Sequence, residues 1–151
     1  MEYFAYSQRA FVYKYIVMLS DIDQFQHMSF ANYLRLMFLS TDALFVSLLD
    51  DAFLSRHRFQ LIDSRMQFKR QTKIGDSILI KVNSSMVSGG RFTLLYTFVI
   101  EGEGGLVSLG KQNYEIRNVF AADEINEIIF EDLEKLLKPI SVDENYLVYK
   151  Y

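Results

Sequence analysis

The sequence has no cysteine and a single proline, which rules out a disulfide scaffold and argues against a proline-rich disordered chain. It also lacks a zinc-type ligand pattern, and no metal or separate cofactor is expected. No apolar run approaches the length of about 20 residues that spans a bilayer. Arg35, Asp42, Asp50 and Asp51 interrupt or close the longest one. Basic blocks and helix-turn-helix patterns are missing too, and the net charge is −3, so a phosphate backbone is not an expected partner. Met1 to Arg9 lacks the basic start and apolar stretch of a secretory signal, which makes a cytoplasmic location the simplest expectation. What the chain does have is apolar and aromatic mass. Half of its 151 residues are hydrophobic, with 13 Phe and 10 Tyr, enough to build one core in one domain over residues 1–151.

The hydrophobic period changes along the chain. Phe11 to Met18 is aromatic and β-branched, with Phe11, Tyr13, Tyr15 and Val17 on one parity, and predicts a strand. From Phe30 to Leu49 apolar residues recur at three- and four-residue intervals, which predicts one long helix with Ser29 as N-cap. Leu36, Leu39, Ala43 and Val46 make its other sides apolar, so the helix is expected to be buried nearly all round. Four strands follow, over Phe59–Phe68, Ser77–Met86, Arg91–Glu101 and Leu106–Arg117. Gly89-Gly90 suits a two-residue hairpin, and a bulge near Gly110 would bring Val107 into step with Tyr114 and Ile116. Ala122 to Leu137 reads as an amphipathic helix ending before Pro139. The order of elements is α+β, and a sheet curled around one buried helix fits it best.

Between the first strand and the long helix stands a polar segment, Ser20-Asp21-Ile22-Asp23-Gln24-Phe25-Gln26-His27-Met28-Ser29, followed by Phe30-Ala31-Asn32-Tyr33-Leu34-Arg35. Its D-x-D-x-x-x-H spacing with Asn32-Tyr33-Leu34 resembles the signature of 4-hydroxybenzoyl-CoA thioesterases of the hotdog superfamily. Downstream, Gly75-Asp76 resembles the Gly-Asp turn between the second and third strands of that family. The resemblance covers roughly Val12 to Arg117 and implies a hotdog fold, an antiparallel sheet wrapped around one long helix. It also implies an acyl thioesterase acting on acyl-CoA or acyl-carrier-protein thioesters, with Asp23 in the place of the catalytic acid. One departure stands inside the motif, where the family often has Gly and this chain has Gln24-Phe25-Gln26. The run Asn32 to Arg35 is also similar to thioesterases of enediyne polyketide synthesis, in which an Arg at the Arg35 position takes part.

The chemistry asked of these residues is simple. A carboxylate at Asp23 can take a proton from water or attack the thioester carbonyl itself. The first-turn amides of the long helix, at Phe30, Ala31 and Asn32, carry positive partial charge suited to an oxyanion. His27 is a candidate partner of the carboxylate or of the leaving thiolate, and Arg35 of a substrate oxygen. Tyr33 and Asn32 serve equally well to secure the helix entry. Asp21 reads as a turn or helix-entry residue, and Asp23 alone would too. The resemblance further implies a site between subunits of a homodimer or homotetramer, with pantetheine running along Ser88, Gly89, Gly90 and Arg91. Coenzyme A or phosphopantetheine would enter only as part of the substrate. Two rival readings stay open: a non-catalytic hotdog module that binds an acyl carrier, and a hotdog dehydratase or hydratase.

Overall fold

The computed structural model describes residues 10–49, 51–118 and 133–143. Strand β1 (Phe11–Ile16) leads through a 3-10 turn at Leu19–Asp21 into helix α1 (Phe30–Leu48). A short helix α2 (Asp51–Arg56) and four strands follow: β2 (His57–Phe68), β3 (Ser77–Ser88), β4 (Arg91–Ile100) and β5 (Leu106–Asn118). All strand pairs are antiparallel, in the order β1-β3-β4-β5-β2. This is the hotdog arrangement that the resemblance implied.

The sheet closes on α1 through one apolar layer. Leu36, Met37, Leu44 and Phe45 of α1 meet Ile78, Ile80 and Val82 of β3 and Phe92, Leu94, Tyr96 and Phe98 of β4. Each large side chain so buried stabilises the fold by about 1.5–3 kcal/mol. The direction of α1 along β4 follows from ring contacts. Tyr33 in the first turn lies 5.6 Å from Phe98, and Phe45 near the helix end lies 5.4 Å from Phe92.

Several expectations need adjusting. The helix is not buried all round: Ala31, Arg35, Phe38, Asp42 and Val46 form an exposed stripe, with Val46 69% exposed. Apolar composition shows that a face avoids water somewhere, and does not say that this sheet covers it. The bulge is at Val107, not Gly110, because Phe98 pairs with Ser108 while Val99 pairs with Leu106. Gly110 instead lies against the helix, where an added Cβ would stand 2.5 Å from the Met37 sulfur. Helix α2 had no counterpart in the sequence reading, and His57 is buried at the start of β2. Most of the helix expected over Ala122 to Leu137 lies outside the described residues. Residues 133–137 are helical, and Leu137 holds Ser84 of β3 through its carbonyl oxygen.

Lys81 lies on the sheet face opposite α1, since its neighbours Ile80 and Val82 point into the core. It is 1% exposed, and desolvation lowers its ammonium from 10.5 to about 8. A lowered folded-state value means the unfolded chain binds the proton more tightly between about pH 8 and 10.5, so folding releases it there. Stability is therefore expected to rise as pH goes from 8 to 10 and to be penalised in full below 8. Denaturant titrations at pH 7, 8, 9 and 10 should show a smaller slope for Lys81→Met.

Candidate active site

The segment from Ile22 to Met28 is a small hairpin whose ends are bridged to each other. The Asp23 amide donates to the His27 carbonyl at 2.9 Å, and the Gln26 amide to the Asp23 carbonyl at 3.0 Å. Asp23 Oδ1 accepts from the amides of Phe25 and His27, at 2.8 and 3.1 Å, which fixes the turn. Its Oδ2 accepts no hydrogen bond from the described residues, and the side chain is exposed. Gln26 closes the turn with φ of 63°, in the left-handed region that favours glycine. That is the physical content of the departure noted at Gln24-Phe25-Gln26. Gln26→Gly is expected to stabilise the protein by about 0.5–1 kcal/mol, the relieved strain exceeding glycine's entropy. A denaturation midpoint that falls instead would remove strain from the account of this loop.

Asp21, two residues earlier, turns the opposite way. It is 3% exposed, and its carboxylate accepts from the Tyr15 hydroxyl at 2.8 Å and from the Met18 amide at 2.8 Å. Arg35 adds a bond to the Tyr15 hydroxyl at 2.9 Å and an ion pair to Asp21 at 3.3 Å, its guanidinium 5.7 Å from the Tyr15 ring centre. Burial, and then the Asp21 bond, raise the Tyr15 phenol above its ordinary value. The Asn32 side chain donates to the Asp21 carbonyl at 2.9 Å. Arg35 and Asn32 thus clamp the start of α1 to the strand before it.

Helix α1 begins as the sequence predicts. Ser29 is the N-cap, and its hydroxyl accepts from the Asn32 amide at 3.4 Å. The amides of Asn32 and Tyr33 also reach the Ser29 carbonyl. Of the three first-turn donors singled out, Phe30 and Ala31 keep amides with no acceptor among the described residues.

Beside this helix start lies a cavity of about 380 Å³ between α1 and the end of β2. Its walls come from His27, Met28, Phe30, Tyr33 and the segment 68–72. The Tyr33 hydroxyl bonds Thr72 Oγ1 at 3.2 Å, and burial raises its phenol. Phe68 contacts both Phe30 and Tyr33 edge-on, at 5.9 and 5.0 Å. The sequence reading did not mark the Phe68–Thr72 stretch as a cavity wall. The buried Thr72 hydroxyl carries no sequence signal beyond its place before the Gly-Asp turn. That turn forms with Gly75 at φ of 87° and the Asp76 carboxylate accepting from the Lys73 amide.

The structure brings His27, Phe30 and Tyr33 to the cavity and leaves the exposed Asp23 outside the lining. The His27 ring makes no hydrogen bond among the described residues; it is its backbone amide that meets Asp23. Ser88 to Arg91 form the expected two-residue hairpin, with Gly89 and Gly90 at φ of 57° and 84°. Within one chain that turn lies beyond Phe92, more than about 20 Å along β4 from the helix start. A larger cavity of about 760 Å³, between the β3 residues 84–87 and residues 134–141, holds none of these groups. Among the described residues no three His, Asp or Glu side chains are grouped to hold a metal ion, and no helix is long and apolar enough to cross a membrane.

A curled antiparallel sheet around one capped helix, with a cavity at the helix start, defines a hotdog-fold protein. The chain belongs to the thioesterase-like superfamily, whose family model matches residues 17–139. No curated protein sequence matches it. Among solved structures it is similar to Slr0204, a 1,4-dihydroxy-2-naphthoyl-CoA thioesterase from Synechocystis. That likeness has a TM-score of 0.73 at 15% identity and covers 85% of this chain and 96% of that one. It is similar to YbaW, a probable thioesterase from Escherichia coli, with TM-score 0.72, 16% identity and coverage of 85% and 97%. A third likeness is to SAV2348 from Staphylococcus aureus, solved in complex with CoA, with TM-score 0.73, 18% identity and coverage of 86% and 85%.

Proposed function

We propose that this chain, as one domain over residues 1–151, is a cytoplasmic acyl thioesterase acting on acyl-CoA or acyl-carrier-protein thioesters. The observation that carries the reading is that, ahead of and at the start of α1, an Asp23 carboxylate oxygen and the Phe30 and Ala31 amides all lack a partner among the described residues. Asp23 takes a proton from water, and the resulting hydroxide adds to the thioester carbonyl. The helix-start amides hold the oxyanion. Collapse breaks the carbon–sulfur bond and releases the thiolate, with His27 placed to meet it. Direct attack by Asp23, giving an anhydride that water opens, uses the same groups. Isotopically labelled water separates the two routes, since only the anhydride route places label in the Asp23 carboxylate in a single turnover.

A homodimer or homotetramer belongs to this proposal. Ser88 to Arg91 reach a helix-start cavity only from a second copy, and Phe38, Val46, Ile62 and Phe68 remain exposed on α1 and the edge strand β2. The position of Asp23 outside the cavity lining favours a second reading, a module that binds an acyl carrier without turnover. Thiol release across a panel of acyl-CoA and acyl-carrier-protein thioesters decides between them. Release from any of them that depends on Asp23 supports the hydrolase, and tight binding with no release supports the module.

A further inference from the structure

A second cavity, of about 370 Å³, lies farther along the groove between α1 and β2. Thr41 on its floor is eight residues beyond Tyr33, roughly 12 Å along the helix from the first cavity. Its walls are mostly apolar, with Phe45 and Phe59 stacked at 4.5 Å. Its floor is not apolar. Thr41 and Tyr114 line it, both nearly fully buried. The hydroxyls of Thr41 and Tyr96 bond to each other, and those of Tyr96 and Tyr114 both donate to Gln112 Oε1. Thr41 Oγ1 also lies 2.8 Å from the Met37 carbonyl, so the single protons of Thr41 and Tyr96 are shared among three contacts, to Met37, to each other and to Gln112. Every hydroxyl proton has an acceptor inside the cluster, so what the cluster has left to offer a visitor is oxygen lone pairs.

Asp42 stands beside this floor and lines the same cavity. Its carboxylate makes no hydrogen bond or ion pair among the described residues. Its side chain is exposed at the edge of the cavity, and partial desolvation raises its pKa. A carboxylate without a cation, next to hydroxyls whose protons are already committed, repels an anionic group and rewards a donor. Aromatic walls add attraction for a cationic one.

Resting on the thioesterase reading, we propose that this second cavity receives the far end of the acyl group. The acyl group it selects carries a hydrogen-bond donor there, a hydroxyl or a protonated amine, recognised by Asp42 and the Thr41–Tyr114 floor. An apolar cavity alone separates chain ends weakly. A donor end adds a charge-assisted hydrogen bond to Asp42 that a methyl end cannot make, so the presence of the donor sets specificity.

The test uses acyl-CoA sets of matched chain length ending in methyl, hydroxyl, amine or carboxylate. Each is measured twice, as hydrolysis by the wild-type protein and as Kd on Asp23→Asn by calorimetry. The expected result is a preference of about 10- to 100-fold for a donor end over methyl, with the carboxylate end worst. The hydroxyl and amine arms show which donor is preferred. Asp42→Lys, a change at an exposed helix position, should reverse the order and make the carboxylate end best. Equal values for all ends, in both kcat/KM and Kd, overturn the proposal, as does an order that Asp42→Lys leaves intact. Hydrolysis without end preference sinks the pocket and keeps the thioesterase. Preference in Kd with no hydrolysis sinks the thioesterase and keeps the pocket.

Discussion

Asp23→Asn is expected to lower kcat by about 10²- to 10⁴-fold, the range for losing a positioned proton acceptor. The substitution is chosen for what it spares. Asn keeps the Oδ1 atom that accepts from the Phe25 and His27 amides, so the hairpin survives. It replaces the free Oδ2 with an amide that cannot take a proton from water. KM should change little, because the cavity wall is built from other residues. Thermal unfolding should stay close to that of the wild type. A variant with full turnover would end the assignment of Asp23 as base or nucleophile. Equal losses of turnover and folding stability would show only that the turn had collapsed, and Asp23→Ser, which keeps a short acceptor, then separates the two effects.

Asp21→Ala should cost stability where Asp23→Asn does not. The carboxylate of Asp21 is buried, and its loss leaves the Tyr15 hydroxyl and the Met18 amide without their acceptor. Each orphaned donor costs about 1–3 kcal/mol, and the half-exposed Arg35 returns largely to water. A loss of about 2–4 kcal/mol follows, seen as a fall in Tm of roughly 5–15 °C for a chain of this size. Arg35→Ala should cost about 1 kcal/mol or less, since an exposed partner contributes little. If the two variants melt together, the buried carboxylate is not the anchor of the strand-to-helix connection.

These two aspartates show where sequence reading works and where it stops. Their spacing drew attention to the segment from Asp21 to His27, and Ser29 was legible as the cap because an N-cap is a local arrangement. Their opposite orientations were not legible. Asp21 is drawn inward by Tyr15, six residues before it, and Arg35, fourteen after it, while the tight hairpin turns Asp23 outward. Arg35 was read as a substrate contact, and its Nη2 meets Tyr15 and Asp21 in that anchor. The second cavity was illegible for the same reason. Thr41, Tyr96, Gln112 and Tyr114 come from three elements and share no spacing that marks them as one cluster.

The sequence by itself determined the order of the five strands and the long capped helix, the Gly89-Gly90 hairpin and the polar motif ahead of the helix. Each follows from periodicity or turn chemistry within a few residues, where the chain's own stereochemistry decides. Only the tertiary structure decided which face of α1 stays bare, that the bulge sits at Val107, and which aspartate is buried. Those outcomes depend on partners far apart in the chain, and the free energy of a buried carboxylate or a packed helix face is set by whatever the fold brings against it.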